Sequence, residues 1–301
     1  GSWGSADGFG CAGQGSGLTG RRVWPGRLLE GGFAVRFPEV PAAAVDLCRQ
    51  SPQARGSPLS LHLVLKLSHK VGKLLDPLTY RRSWRRVRRM LHPIPLAPLL
   101  AKVDQERLRK LQAELGSPPP DAPPSWRHYA KYLELEKYLR LNIRRVQDLN
   151  LHLSPPKQIL DIGCGGGFFL YVAQDRGHRG LGFDTGGIPV FDELVDLLGV
   201  ERVIYRIEAF EPMPDFGRKF DLITAFSTAF HGGKDNSWRW GAKEWDFLVS
   251  DLERHLQPGG QIFFGLNPAY GGEYYTPEML DVFQRRGAAV ERENVLFPPK
   301  K

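Results

Sequence analysis

From Lys157 onward, short apolar runs alternate with amphipathic segments at a steady pitch. Residues 157–163 (KQILDIG), 180–184 (GLGFD), 202–209 (RVIYRIEA), 220–227 (FDLITAFS) and 260–267 (GQIFFGLN) read as strands. Residues 168–177 (FFLYVAQDRG), 188–199 (IPVFDELVDLLG) and 244–256 (EWDFLVSDLERHL) read as the helices between them. Several of these strands are apolar runs with few polar interruptions, the pattern of a sheet covered on both faces. Strands separated by helices at this spacing predict an α/β domain with a doubly wound, mostly parallel sheet and right-handed crossovers. A further helix at 276–287 and a single strand at 288–297 complete the visible pattern.

Upstream the periods change. Tyr132, Leu135, Leu139, Ile143 and Val146 recur at spacings of 3, 4, 4 and 3, an amphipathic helix with Ser125 as N-cap and Pro155–Pro156 as its stop. Residues 116–125 (GSPPPDAPPS) read as a stiff proline-rich linker. Between 59 and 115, LSLHLVLKL alternates like a strand, but the mixed spacing that follows, broken at Pro77 and Pro93, predicts short helices. Residues 1–58, rich in Gly, Ser and Pro without a sustained period, are expected to be low-complexity and disordered. The expected division is therefore 1–58, a helical extension at 59–115, a linker at 116–125 and the α/β domain at 126–301.

Composition refines this picture in two ways. With 42% hydrophobic and 25% charged residues the chain has the balance of a soluble globular protein. No run of eighteen apolar residues and no basic-then-apolar start is seen, so a cytoplasmic protein without a transmembrane segment is expected. The three cysteines, Cys11, Cys48 and Cys164, form no CxxC pair, which argues against a disulfide framework or a structural zinc site. The net charge of +8 is uneven: residues 66–110 hold thirteen Lys/Arg against three Asp/Glu. The extension is therefore the basic part. Its densest stretch, YRRSWRRVRR at 80–89, joins six arginines to Tyr80 and Trp84. That mixture suits nucleic acid, an anionic membrane surface or a solvated helix.

The candidate chemistry is in Ile159–Leu170, ILDIGCGGGFFL. A glycine-rich turn leaving a parallel strand lets backbone amides approach a ligand, with the next helix's N-terminus facing it. A dinucleotide fingerprint, GxGxxG, requires a glycine where Phe168 or Leu170 stands, so an NAD-dependent oxidoreductase is disfavoured. The pattern is instead Asp161-x-Gly163-x-Gly165-x-Gly167. It resembles the first motif, hDhGxGxG, of the class I S-adenosylmethionine-dependent methyltransferases, a Rossmann-like fold. Asp184, 23 residues beyond Asp161, stands where that family's second acidic residue takes the ribose hydroxyls. PDFGRKFDLITAF and HLQPGGQIFF resemble its approaches to strands four and five.

The resemblance covers about Trp126 to Leu296 and implies S-adenosyl-L-methionine as cofactor. It implies cofactor-binding roles for Asp161, Gly163, Cys164, Gly165, Gly167, Asp184, Thr185 and Phe226, with adenine recognition by Glu208, Ala209 and Phe210. Cys164 is expected to be a small filler rather than a nucleophile. The family's antiparallel strand pair at the end is expected to be incomplete here. His231, in the loop after strand four, is the candidate general base, and Tyr270, Tyr274 and Tyr275 are candidates to line an acceptor pocket. No metal site is expected. The implied activity is methyl transfer to an unidentified acceptor, a small molecule ahead of RNA. A non-catalytic S-adenosylmethionine-binding module is the alternative, and the oligomeric state is left open.

Overall fold

The computed structural model of the chain describes residues 77–117, 128–228, 231–232, 239–268 and 272–299, with the side chains of 77–82 left aside. The expected disorder of 1–58, the strand-like run at 59–67, residues 118–125 of the expected 116–125 linker, Ser125 among them, and Tyr270 lie outside the described residues. Within them the elements are α1 (Pro77–Leu91), α2 (Leu96–Ala101), α3 (Gln105–Leu115), α4 (Leu135–Asp148), β1 (Gln158–Ile162), α5 (Phe168–Asp175), β2 (Arg179–Asp184), α6 (Pro189–Leu197), β3 (Arg202–Ile204), β4 (Phe220–Phe226), α7 (Ala242–Arg254), β5 (Leu256–Gly265), α8 (Pro277–Arg285), β6 (Ala289–Glu291) and β7 (Asn294–Phe297).

The seven strands form one sheet in the order β3-β2-β1-β4-β5-β7-β6. The pairs from β3 to β5 are parallel, and β7 lies antiparallel to both β5 and β6. This is the doubly wound, mostly parallel sheet expected from the strand–helix alternation. Alternate residues of β1 feed two cores. Ile159 joins the layer of α4, α5 and α6, whereas Leu160 and Ile162 join that of α7 and α8. The chain order reverses between β1 and β4, which opens a crevice at their carboxyl ends.

Three features differ from the sequence reading. The last stretch, expected as one strand, is a complete hairpin: β6 and β7 turn at Arg292, which takes a left-handed φ of 53°. β3 stops at Ile204 rather than at residue 209. Beyond it the Tyr205 amide makes one more bond, to the Asp184 carbonyl at 2.8 Å, and the chain then leaves the sheet.

The third difference concerns the extension. Its described part, residues 77–115, forms α1, α2 and α3, with Asp104 capping α3 through bonds from the Glu106 and Arg107 amides at 3.0 and 2.9 Å. It is not set apart from the α/β layers, however. Leu99, Val103, Leu108 and Leu111 are buried in the same core as Leu139, Phe169 and Leu194. The Tyr171 hydroxyl donates to the Leu99 carbonyl at 2.7 Å, and Arg107 pairs with Glu193 and Asp196 at 3.0 and 2.5 Å. The reason is that Leu96, Leu99, Leu100 and Val103 make an apolar face that the neighbouring charges obscure in the sequence.

Candidate functional site

β1, β2 and β4 end around a cavity of about 990 Å³. The glycine turn forms its floor. The Gly163 and Cys164 amides both donate to the Phe183 carbonyl, at 2.6 and 3.4 Å, which ties the turn to β2. Gly163 has φ +67°, and a Cβ there would lie 2.2 Å from Thr228 Cγ2, so only glycine fits. Gly165, at φ +54°, donates its amide to Asp184 Oδ2 at 2.7 Å. Asp184 Oδ1 accepts the Thr185 amide at 2.7 Å. The second acidic residue thus has each carboxylate oxygen fixed by one backbone N–H, with further acceptor capacity toward the cavity it lines.

Asp161 is the other carboxyl of the site. It is buried, and its Oδ1 accepts from Thr224 Oγ1 at 2.7 Å. Burial pushes its pKa up to about 7, against the opposing pull of the Thr224 bond and of Arg145. Cys164 Sγ packs in the gap that Gly182 leaves, where a Cβ would come within 2.7 Å of it. Burial pushes that thiol well above its ordinary range, consistent with a space-filling role.

Of the residues expected to bind a cofactor, Asp161, Gly163, Cys164, Gly165, Asp184, Thr185, Glu208, Ala209 and Phe226 line this one cavity. Gly167 does not, and instead occupies the N-cap of α5 at φ 77°. Phe210 does not either. It has φ 64°, is about half exposed, and sits edge-on to Phe247 with ring centroids 5.8 Å apart. His231 is also absent from the lining. It is buried, its ring lies 5.1 Å from that of Trp245, and burial lowers its pKa to about 4. His231 thus lies against Trp245 of α7, apart from the residues that line the cavity. Tyr274 and Tyr275 pack against that same core rather than lining the cavity.

The sequence reading missed the contribution of α4 and the turn before it. Tyr129, Tyr132 and Tyr138 line the cavity's side, with the Tyr132 ring 4.4 Å from Tyr138 and 4.8 Å from Phe191. Arg145 reaches in from α4. Its guanidinium lies 4.4 Å from the Phe226 ring centroid and donates to Asn142 Oδ1 at 3.1 Å and Ser227 Oγ at 3.2 Å. Burial lowers its pKa from the ordinary value while the charge of Asp161 opposes that shift. The signal was present as spacing: positions 138, 142 and 145 share one helical face beside the apolar stripe. Among the described residues no group of His, Cys, Asp and Glu is arranged to hold a metal ion.

Residues 160–264 match a family described as a methyltransferase domain. The chain is 28% identical over 134 residues to a ubiquinone biosynthesis O-methyltransferase of Stutzerimonas stutzeri, covering 44% of this chain and 53% of that protein. It is 29% identical over 110 residues to a tRNA U34 carboxymethyltransferase of Campylobacter hominis, covering 36% of this chain and 35% of that one. The chain therefore spans about half of the first relative's length and about a third of the second's. A solved TehB-like S-adenosylmethionine-dependent methyltransferase from Corynebacterium glutamicum aligns with a TM-score of 0.40 at 20% identity, over 57% of this chain and 98% of that structure.

Proposed function

We propose that this chain, whose residues 160–264 match a methyltransferase domain, is a class I S-adenosylmethionine-dependent methyltransferase that transfers a methyl group from S-adenosylmethionine to a small-molecule acceptor. The observation that carries the proposal is the joint placement of the glycine turn and Asp184. Gly163 and Gly165 present backbone where a side chain would collide or be strained, and the Asp184 carboxylate is locked beside them with acceptor capacity to spare.

The residues fit the cofactor by chemistry. Asp184 offers two oxygens to a vicinal diol, and Thr185 extends that edge. Glu208 and Ala209, where the chain leaves the sheet after β3, border the expected adenine end. Arg145, over the Phe226 ring at the end of β4, offers a cation and Asp161 a buried carboxyl, a setting suited to a zwitterionic amino-acid group. S-adenosylmethionine, when bound, supplies an activated methyl on a sulfonium, so the protein contributes chiefly orientation and exclusion of water.

With His231 turned into the core, His128, beside Tyr129, is the imidazole among the described residues that lines the cavity. Proton removal from the acceptor is thereby left to His128, to the acceptor's own acidity or to solvent. The tyrosines at 129, 132 and 138, which line the cavity, support a flat, ring-containing acceptor, for which they offer stacking surface.

The test is incubation of the full chain with methyl-tritiated S-adenosylmethionine, a mixture of small phenols and, separately, total tRNA. Label in the phenol fraction with formation of S-adenosylhomocysteine supports the proposal. Label in tRNA alone replaces it with the RNA-modifying reading, and cofactor binding without turnover on either supports the non-catalytic module.

A further inference from the structure

The arginine-rich helix α1 takes no part in the cavity, and its two faces differ. Arg85 pairs with Glu291 at 2.6 Å, Arg88 donates to Asn150, and Arg89 pairs with Asp148 at 3.4 Å. These three residues, spaced by three and one along the helix, fasten it to the α/β domain. The opposite side holds Trp84, Val87, Met90 and Leu91, exposed to 60%, 42%, 73% and 67%. Among the described residues, half of the large apolar side chains exposed to solvent lie on these two turns. The helix carries six arginines and no acidic residue, and Arg86 sits among the exposed apolar groups.

We propose that α1 is a docking surface for an anionic lipid bilayer, held by Arg85, Arg88 and Arg89 so that Trp84, Val87, Met90 and Leu91 face the membrane. The charge is complementary to acidic headgroups, which attract basic segments within a Debye length of the surface. The apolar residues are what separate lipid from other anionic partners. A single-stranded nucleic acid pairs phosphates with cations and bases with aromatic rings, and would use Trp84 while leaving Val87, Met90 and Leu91 in water. The acyl boundary of a bilayer buries all four, and tryptophan is favoured at that depth. A second copy of the same helix is disfavoured because it would bring like charges, Arg86 among them, together with no acidic residue on the helix to offset them.

No helix among the described residues is long and apolar enough to cross a membrane, so the contact is with the surface. The consequence for function is that the protein would act where apolar acceptors accumulate. This inference does not depend on which acceptor is methylated, or on methyl transfer at all.

The experiment is sedimentation of the full chain with vesicles of phosphatidylcholine alone and of phosphatidylcholine with 30–50% phosphatidylglycerol, about the range in which surface charge dominates. Binding is expected to the acidic vesicles at least tenfold above the neutral ones and to fall as salt rises. Trp84→Ser with Leu91→Ser, both at exposed positions, should lower it by a further tenfold with the circular dichroism spectrum and melting temperature unchanged. Arg86→Glu should lower it separately. Equal binding to neutral and acidic vesicles, no binding to either, or binding insensitive to the double substitution would overturn the proposal. So would retention of a 20-nucleotide single-stranded RNA by a protein that ignores the vesicles.

Discussion

Replacing Asp184 by alanine removes the group on which the cofactor assignment most depends. In the structure each of its oxygens already accepts one backbone N–H, from Gly165 and Thr185, both at 2.7 Å. Oδ2 keeps a further acceptor position, and the long 3.4 Å bond that Oδ1 accepts from the Thr185 hydroxyl can give way to a ligand, so two bonds to a ribose diol are available. Charge-assisted bonds of this kind contribute about 1.5–3 kcal/mol each, and water entering the truncated site offsets part of that. The expected loss is about 2–4 kcal/mol in S-adenosylhomocysteine binding, or roughly thirty- to a thousandfold in Kd. Because the freed Gly165 amide borders a cavity that water reaches, the fold should lose only about 1 kcal/mol. Asp184→Asn should fall between the two, since the amide keeps one acceptor oxygen and turns the other position into a donor. Titration calorimetry with S-adenosylhomocysteine measures the affinities, and thermal unfolding checks the fold. An Asp184→Ala protein that binds within threefold of the parent refutes the reasoning and leaves the glycine turn as the sole basis for the site.

Leu99→Ala, in the fully buried α2 position, should destabilise the α/β domain by about 2–5 kcal/mol; a single unfolding transition shifted as a whole is expected, and an unshifted α/β transition would show that the extension packs independently. Gly163→Ala should abolish measurable S-adenosylhomocysteine binding, because the new methyl meets Thr228 at a positive φ; retained affinity in calorimetry would show that the turn relaxes. For Asp161 the folded pKa of about 7 lies above the ordinary 3.8, so the protonated form favours folding. The contribution of Asp161 to stability in urea, read as the difference between the parent and Asp161→Asn, is then expected to be greatest below about pH 4, to decline up to about pH 7 and to level off above it. Asp161→Asn, which keeps an acceptor for Thr224, should remove that decline, and an unchanged profile would assign it to another group.

The parts that were legible in the sequence are those where one physical requirement dominates. β1 and β2 are continuous apolar runs because both faces are covered, and the glycine turn between β1 and α5 is marked by conformations other residues avoid. The parts that were not legible depend on partners distant in sequence. The β6–β7 hairpin turns at Arg292 and Glu293, which carry none of the Gly, Asn or Pro signals of a tight turn. β3 was read too long because Ile207 and Ala209 are apolar for packing and for the cavity, not for a ladder. His231 follows β4 as a functional loop residue would, yet its ring lies against Trp245, a fact set by the path of the loop. Arg145 was passed over because it sits on a helix whose apolar stripe accounted for the pattern. Only the fold brings it beside Asp161 and Phe226.

The central claim is that the cavity at the ends of β1, β2 and β4 holds S-adenosylmethionine. Calorimetric titration of the full chain with S-adenosylmethionine, S-adenosylhomocysteine and NADH tests it most directly. One saturable site for each of the first two and no heat from NADH is the predicted result. A folded protein that binds neither adenosyl compound, or binds NADH as tightly, would contradict it.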